Sequence, residues 1–470
     1  MQTFKLLING EWVDSPRSIE VINPATGQVF ASCARADAAL LDTAIDAAAM
    51  AFKAWSKTPI ADRAQRIRVL AELLGKRSDE FASLLTQEQG KPLDQALGEI
   101  GAAVFTLNTF AEMRLEPRDL CGDVPGSVVE YRVPLGVVAA ITPWNFPVLL
   151  LINKLAPALL AGNTMVIKPA PTTPLTTLLL GQLCAECFPP GVVNIIIDDN
   201  DLGDALTRHP KVAKIAFTGS TATGKKVMAS AATGIKRITL ELGGNDAAIV
   251  LEDADPEAVA QSLFNGSMLN AGQICLAIKR VYVPAALYDD ICERLGRLAR
   301  EAVVGNGLEP GTFMGPVQNL VQFEKLKGFL REAVERGTVV AGGHVLDRPG
   351  YFIAPTIVRD LPDSSSLVMD EQFGPILPVL AYDSLDDALA RVNDSPYGLT
   401  ATVWGKDVEH AKCVAREIDA GTVWVNQHLV LDPTIPFRGT KQSGLGVELG
   451  LEGLQEYTQA RVVSSTVGSK

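Results

Sequence analysis

One of the seven cysteines lies in surroundings that suit a nucleophile. Cys275 follows Asn270-Ala271-Gly272-Gln273-Ile274, where glycine and glutamine interrupt the end of a helical pattern. A nucleophilic cysteine needs an accessible loop position, with nearby dipoles or charges that stabilise the thiolate. A small buried hydrophobe is the commoner state of an isolated cysteine, so this segment alone leaves both interpretations open.

A second segment has the composition of an anion-binding turn. The apolar run that ends at Phe217-Thr218 continues into Gly219-Ser220 and then into a helical segment that contains Gly224. Backbone N–H groups and the helix N-terminus would then face one point, which suits a pyrophosphate. The spacing matches neither G-x-G-x-x-G nor the P-loop, so a helix cap with turn glycines is an equally good interpretation.

Two further segments place a polar side chain directly after a predicted strand. Glu241 precedes Leu242-Gly243-Gly244, where its carboxylate is either a general base or an acid that flanks a turn. Asn145 lies between Pro143 and Pro147, which make the turn rigid, and its amide is either an oxyanion donor or part of an Asx-type turn. The chemistry therefore depends on the combination of these segments.

The elements that must position these residues alternate between strands and helices. Continuous apolar runs predict buried strands at 136–141, 164–167, 192–197 and 214–217, with helix-length segments between them. Such strands predict a parallel sheet covered on both faces, which binds ligands at the carboxyl ends of its strands. A second alternating region spans about 246–425. The sequence therefore predicts an α/β protein with two large domains.

Length, composition and charge exclude several classes of protein. The chain has 470 residues, of which 47% are hydrophobic and 20% charged, and a net charge of −12, which indicates a globular protein with sizeable cores. An acidic balance without a long basic run argues against a nucleic-acid partner. No apolar run is long enough to span a membrane. We therefore expect neither nucleic acid nor a membrane as a partner.

The cysteines and histidines predict reduced thiols and no metal. An odd number of cysteines without regular spacing, and an N-terminus without a secretory signal, favour a cytoplasmic location. Cys184 and Cys187 have metal-like spacing, but no second cysteine or histidine pair lies near them in the sequence. We interpret this pair as part of a helix core.

The motifs together resemble the aldehyde dehydrogenase superfamily over nearly the whole chain. They are Pro143-Trp144-Asn145-Phe146-Pro147, Val166-Ile167-Lys168-Pro169, Phe217-Thr218-Gly219-Ser220, Glu241-Leu242-Gly243-Gly244, Gly272-Gln273-Ile274-Cys275, Glu371-Gln372-Phe373-Gly374-Pro375, Pro396-Tyr397-Gly398-Leu399, and Pro436-Phe437 ahead of Lys441-Gln442-Ser443-Gly444. The resemblance implies a Rossmann-like parallel-sheet NAD(P)-binding domain (1–117 and 138–243) and an α/β catalytic domain (244–441). It also implies a small β excursion for oligomerisation (118–137 and 455–470), and hence a homodimer or homotetramer.

The resemblance further implies NAD(P)-dependent oxidation of an aldehyde to its carboxylic acid. Cys275 would attack the carbonyl, and the Asn145 amide and the Cys275 backbone N–H would stabilise the oxyanion. Glu241 would activate the water that hydrolyses the thioester, and Glu448 corresponds to a carboxylate that some members use as a proton relay. Two alternatives are a CoA-acylating member, which generally lacks the base at position 241, and a catalytically silent cofactor-binding scaffold, which would have no need of all three reactive residues.

For the cofactor, the family match points to NAD with NADP also possible. Lys168 matches a lysine that contacts the adenosine ribose, and Pro171 stands where many NAD-preferring members carry a glutamate that accepts from the ribose 2′-OH. Because proline neither accepts from the hydroxyl nor repels a 2′-phosphate, we expect only mild discrimination between the two cofactors. The matched cofactor residues are Trp144, Lys168, Gly219, Ser220, Gly224, Leu242, Glu371 and Phe373.

The residues that match the substrate tunnel are mostly apolar. Succinate-semialdehyde dehydrogenases usually carry arginine at the positions of Asn153 and Leu269, so a distal carboxylate lacks those partners here. We expect aliphatic or aromatic aldehydes as substrates, with a succinate-semialdehyde-type enzyme as the alternative. Arg438 replaces the usual glycine and either restores an anion contact or, as we expect, forms a surface ion pair. The matched tunnel residues are Phe146, Leu150, Asn153, Leu269, Ile274, Leu276, Leu431 and Phe437.

Overall fold

The computed structural model describes residues 2–121 and 127–466. Its N-terminal part consists of short strands followed by a group of long helices. The strands are β1 (Gln2–Phe4), β2 (Leu6–Ile8), β3 (Glu11–Val13), β4 (Ser18–Asn23) and β5 (Gln28–Ala34). The helices are α1 (Ala38–Trp55), α2 (Ile60–Lys76), α3 (Ser78–Gln89) and α4 (Leu93–Glu112). Gly90 ends α3 in the left-handed conformation (φ 101°), which glycine adopts without a steric cost.

Strands and helices then alternate as far as residue 241. The elements of this part are β6 (Arg118–Asp119), β7 (Ser127–Pro134), β8 (Val137–Ile141), α5 (Leu149–Ala161), β9 (Thr164–Lys168), α6 (Leu175–Cys187), β10 (Val193–Ile195), α7 (Gly203–Arg208), β11 (Val212–Thr218), α8 (Thr221–Ala232) and β12 (Arg237–Glu241). The strand predicted at 192–197 is shorter than expected and covers only Val193–Ile195.

The alternation continues in the remaining part of the chain. Its elements are β13 (Ala247–Val250), α9 (Pro256–Met268), a 3₁₀ turn (Leu269–Gly272), β14 (Arg280–Pro284), α10 (Tyr288–Glu301), α11 (Leu320–Arg336), β15 (Thr338–Ala341), β16 (Thr356–Arg359), α12 (Ser366–Met369), β17 (Ile376–Tyr382), α13 (Leu385–Asn393), β18 (Tyr397–Gly398), β19 (Thr400–Trp404), α14 (Val408–Arg416), β20 (Thr422–Val425), β21 (Thr440–Lys441), β22 (Gly444–Leu445), α15 (Gly450–Gln455) and β23 (Thr458–Ser465).

The first large sheet has the order β22-β12-β11-β8-β9-β10-β2-β3, and β8 to β12 are parallel. All residues of β8 and β9 are buried, because helices cover both faces. The chain adds β9 and β10 on one side of β8 and then β11 and β12 on the other. The order therefore reverses between β8 and β11, and a crevice opens there at the carboxyl ends of the strands.

The second large sheet has the order β15-β16-β17-β14-β13-β19-β20, parallel except for β15. Two separate groups of buried apolar side chains cover its faces. With two parallel-sheet units, the predicted α/β fold class is confirmed. The strands β23, β7 and β6 form a small antiparallel sheet, in which Thr458 lies opposite Pro134 and Ser465 opposite Ser127. Residues 122–126 and 467–470 of the segments expected for oligomerisation lie outside the described residues.

Two findings concern membrane-spanning helices and metal sites within residues 2–121 and 127–466. No helix there is both long and apolar enough for a membrane crossing. No group of histidine, cysteine, aspartate and glutamate side chains there has a geometry that would hold a metal ion. Cys184 and Cys187 are both buried in α6 as free thiols.

Candidate active site

The crevice at the switch point of the first sheet is a cleft with an empty volume of about 680 Å³, part of which is open to solvent. The turns after β8, β11 and β12 form one wall, and residues of the second sheet region form the other. The predicted site residues that line it are Trp144, Asn145, Leu150, Gly219, Ser220, Leu242, Cys275, Glu371 and Phe373. Segments far apart in the sequence therefore converge on one cleft.

A strained turn delivers Cys275 to this cleft. Asn270, Ala271 and Gly272 have φ values of 52°, 54° and 70°, in the left-handed region. This conformation costs roughly 1–2 kcal/mol for a residue with a side chain, so surrounding contacts must stabilise the turn. At Gly272 a Cβ would lie 2.3 Å from the carbonyl oxygen of Gly374. Only glycine fits there, which explains the glycine three residues before Cys275.

The Asn145 amide is oriented by the same turn. Its Nδ2 donates to the carbonyl of Gln273 at 2.9 Å, and the side chain is buried. An amide nitrogen carries two hydrogens, so one N–H is left to point elsewhere. The Gln273 side chain is also buried and accepts from the Gln318 N–H at 2.8 Å. The oxyanion donor predicted from the sequence thus lies on a rigid support.

A buried ion pair that the sequence analysis did not single out holds the Asn145 turn. Lys91 and Glu99 are 2.5 Å apart and have no exposed side-chain surface. Lys91 Nζ donates to the backbone carbonyl of Asn145 at 2.9 Å. Glu99 accepts from the N–H groups of Val148 and Leu149, at 2.9 and 3.1 Å, and so caps the N-terminus of α5. The pair fixes both ends of the turn that carries the predicted oxyanion donor.

The surroundings of Cys275 favour its protonated form. Burial raises the pKa of the Cys275 thiol to about 12, and the charges of Asp246, Glu241 and Glu371 act in the same direction. The Lys279 ammonium opposes this rise in pKa. The thiolate-stabilising environment expected from the sequence is thus outweighed by desolvation, because a half-buried thiolate lacks the hydration it has in water.

The cation Lys279 contacts the loop that carries Cys275, and the sequence analysis did not single it out either. Its buried Nζ donates to the carbonyls of Ile274, Cys275 and Ala277, at 3.1, 2.6 and 3.2 Å. Three carbonyls of one loop are thereby held by one ammonium group. Lys279 therefore fixes the loop conformation and places a positive charge beneath Cys275.

The two predicted catalytic carboxyls lie together behind the cleft wall. Burial, and then the charge of Glu448, raise the pKa of Glu241 well above its usual value, while Lys154 opposes the rise. Lys154 pairs with Glu448 and donates to the Thr218 hydroxyl at 2.6 Å. Glu241 Oε1 is buried and has no hydrogen-bond partner among the described residues. Such an unpaired acceptor is costly unless water or a ligand reaches it.

The opposite part of the cleft can hold a dinucleotide. Helix α8 begins there, and Ser220 caps it by accepting from the Thr223 N–H at 3.3 Å. At Gly219 a Cβ would lie 2.6 Å from the Phe217 ring, and at Gly243 a Cβ would lie 2.3 Å from Glu371 Oε2. At these glycines no side chain covers the backbone, so its N–H groups and the helix N-terminus are suited to bind a pyrophosphate.

Other predicted cofactor residues surround this cradle. Trp144 and Phe373 meet edge to face across the cleft, with ring centroids 5.3 Å apart. Glu371 accepts from the Gly244 N–H at 3.0 Å. Gly224 lies against Leu242 and does not line the cleft. Lys168 is one strand away from the cleft wall, buried at the end of β9.

The predicted tunnel residues differ in burial, and most of them are outside the lining of the cleft. Leu150 lines the cleft, and Ile274 and Leu276, the chain neighbours of Cys275, are buried. Asn153 is buried in α5, and its Oδ1 has no hydrogen-bond partner within the described chain. The remaining tunnel residues are Phe146 and Leu269, which are half-buried, Phe437, which is buried, and Leu431, which is 43% exposed.

Arg438 forms the surface ion pair that we expected. Its guanidinium contacts the Glu452 carboxylate, and the two side chains are 47% and 55% exposed. In this structure the carboxylate partner of Arg438 is therefore Glu452.

Comparisons with known proteins agree with this site. The model of the aldehyde dehydrogenase family matches residues 12–463. The chain is 38% identical to phenylacetaldehyde dehydrogenase of Pseudomonas fluorescens, over 97% of this chain and 95% of that protein. It is 37% identical to succinate-semialdehyde dehydrogenase [NADP(+)] of Escherichia coli, over 97% and 96%. The structure of an aldehyde dehydrogenase of Bacillus cereus in complex with NAD+ matches with a TM-score of 0.97 at 37% identity, over 99% of this chain and 97% of that chain. The chain therefore belongs to the aldehyde dehydrogenase family, a family of oxidoreductases that act on aldehydes.

Proposed function

We propose that this enzyme oxidises an apolar aliphatic or aromatic aldehyde to its carboxylic acid through a covalent intermediate on Cys275. The observation that carries the proposal is the convergence of Cys275 and Asn145 on one cleft, with Glu241 behind its wall. A nucleophile, an oxyanion donor and a base are the three groups that this reaction needs. NAD, or NADP, supplies the hydride acceptor when it is bound in the same cleft.

The residues act in sequence on the aldehyde carbon. Cys275 gives its thiol proton to solvent water as its sulfur adds to the carbonyl carbon, and the free N–H of Asn145 and the Cys275 backbone N–H hold the resulting oxyanion. After hydride loss the substrate remains as a thioester on Cys275. Glu241 takes a proton from water, whose oxygen attacks the thioester carbon. The C–S bond breaks, the acid is released, and the Cys275 thiolate takes up the proton that Glu241 held. A raised pKa makes the Glu241 carboxylate a stronger base than an exposed one.

Glu448 and Lys154 support a path for the proton that Glu241 accepts. Their ion pair lies beside Glu241, and the Glu448 charge contributes to its raised pKa. We assign Glu448 the role of proton relay. Lys154 is the cation whose charge offsets the cost of burying a second carboxylate.

The proposed substrate class follows from the missing positive charges. A distal carboxylate would meet Asn153 and Leu269 in place of arginines, and Arg438 is paired with Glu452. Burying an unpaired carboxylate is costly, whereas each apolar CH₂ gains about 0.8 kcal/mol on burial. The relatives include enzymes named for phenylacetaldehyde and for succinate semialdehyde, so these two aldehydes are the decisive comparison.

The test is the kcat/KM of the purified enzyme for a panel of aldehydes, followed by formation of the reduced nicotinamide. We expect phenylacetaldehyde and medium-chain aldehydes to exceed succinate semialdehyde by at least tenfold. Cys275→Ala should abolish turnover but still bind the cofactor. Succinate semialdehyde as the best substrate would refute the substrate class, and turnover by folded Cys275→Ala would refute the mechanism.

We also propose that the small sheet of β6, β7 and β23 joins subunits into a homodimer or homotetramer. Strand β23 is exposed from Gln459 to Ser465, and Val462 and Val463 are 54% and 50% exposed. An exposed edge strand is a ready template for pairing. Light scattering of Val462→Lys/Val463→Lys should show smaller particles than wild type, and an unchanged mass would contradict the proposal.

A further inference from the structure

We propose that Asp198 makes this enzyme prefer NAD over NADP, because its carboxylate neutralises Lys168 and repels a 2′-phosphate. The inference rests on the proposed role of Lys168 at the adenosine ribose. It reverses the expectation drawn from Pro171, which by itself predicts only mild discrimination.

The topology brings the two side chains together at the ligand-binding edge of the sheet. Lys168 is the last residue of β9, and Asp198 follows the parallel neighbour β10. Ile167 lies opposite Ile195, so both chains leave the sheet at the same edge. The carboxyl ends of parallel strands are where such sheets bind nucleotides. Lys168 is also adjacent to the cleft wall, because its carbonyl accepts from the Thr142 N–H at 3.1 Å.

The contact between them is a buried close approach of opposite charges, in which Asp198 Oδ1 has no hydrogen-bond partner among the described residues. Lys168 Nζ lies 2.6 Å from Asp198 Oδ1, and the side chains are 5% and 0% exposed. The other carboxylate oxygen accepts from the Leu202 N–H at 2.8 Å, ahead of α7. Asp198 therefore cannot swing away when a ligand arrives without giving up this hydrogen bond.

The charges around this pair make the region a poor phosphate site. Asp199 and Asp201, in the same loop, lie 3.6 and 2.6 Å from the Arg35 guanidinium. Asp199 and Asp201 thus occupy Arg35, and Asp198 is the carboxylate that contacts Lys168. A 2′-phosphate carries nearly two negative charges, whereas a 2′-hydroxyl is neutral and can donate to a carboxylate. Pro171 adds no charge to this region.

The test measures cofactor binding without turnover. The dissociation constants of NADH and NADPH are determined by the fluorescence of the bound reduced nicotinamide, for wild type, Asp198→Asn and Asp201→Asn. Asp201→Asn is the matched control. It removes one negative charge from the same loop, but Asp201 pairs with Arg35 and not with Lys168. We expect wild type to bind NADPH at least tenfold more weakly than NADH. Asp198→Asn should lower that ratio at least tenfold, equivalent to about 1.4 kcal/mol, mainly through tighter NADPH binding, and Asp201→Asn by less than threefold.

The outcomes separate this inference from the proposed function. If wild type binds neither nucleotide, the proposed cofactor site is wrong. If wild type binds both nucleotides and their dissociation constants differ by less than threefold, the role of Asp198 is overturned. This outcome needs wild type alone, so it does not depend on whether Asp198→Asn folds. An unchanged ratio in Asp198→Asn with the circular dichroism of wild type, or an equal change in Asp201→Asn, also overturns it.

Discussion

Replacing Glu99 with glutamine should destabilise the enzyme and impair catalysis together. Lys91 and Glu99 have no exposed side-chain surface, and Lys91 also contacts the Asn145 carbonyl. In Glu99→Gln the lysine keeps its buried position but loses the only carboxylate that it contacts in the described structure. The glutamine oxygen can still accept from the N–H groups at the start of α5, so the helix cap largely survives.

The magnitude follows from the burial of the remaining charge. Breaking a buried ion pair by removing one partner costs about 3–5 kcal/mol, because the other charge is left uncompensated. Burial already lowers the pKa of Lys91, and Glu99 opposes that shift, so Lys91 is easier to deprotonate in the variant. A neutral or displaced Lys91 holds the Asn145 carbonyl less firmly. We expect kcat/KM to fall by about ten- to a hundredfold, the range typical of a small misplacement of a catalytic group.

Urea unfolding, followed by tryptophan fluorescence, and steady-state kinetics measure the two effects. The control is Glu72→Gln, which breaks the exposed Lys76–Glu72 pair of 2.6 Å and should leave the unfolding midpoint and kcat/KM unchanged. The double variant Lys91→Met/Glu99→Gln should recover stability but not kcat/KM, because the lysine contact to the Asn145 turn stays absent. A Glu99→Gln enzyme with wild-type stability and kcat/KM would refute the reasoning.

Three further predictions concern the reactive groups and the surface arginine. Glu241→Gln should release one equivalent of reduced nicotinamide and then stall with an acyl group on Cys275, detected by mass spectrometry; continued turnover at the wild-type rate would move the base elsewhere. Alkylation of Cys275 by iodoacetamide without cofactor should accelerate tenfold per pH unit from pH 7 to 9.5, because the raised pKa keeps the thiolate a minor species. Peptide mass spectrometry measures this alkylation rate, with the exposed Cys413 as reference. A Cys275 rate that reaches a plateau near pH 8 would disprove the raised pKa. Arg438→Gly should change kcat/KM for succinate semialdehyde by less than twofold, since Arg438 pairs with Glu452; a larger loss would place Arg438 at the substrate.

The sequence by itself determined the fold class and the family, and it predicted the reactive residues. Apolar runs of strand length alternate with helical segments, and this pattern is local, so it predicts buried parallel strands without knowledge of their neighbours. The sequence also indicated that Gly272 interrupts a helical pattern, and the structure adds the reason, since a side chain there would collide with the Gly374 carbonyl. The order of the motifs around Asn145, Glu241 and Cys275 was sufficient to recognise the aldehyde dehydrogenase resemblance.

Only the tertiary structure decided which charges meet and how they are solvated. Lys91, Glu99 and Asp198 are ordinary charged residues in the sequence. The structure shows that folding buries Lys91 against Glu99, and Asp198 against the predicted cofactor residue Lys168. The pKa of Cys275 likewise depends on the water excluded by neighbouring segments. Electrostatic energy varies with distance and with local polarity. Both are properties of packed atoms from distant parts of the chain, and no local pattern of residues encodes them.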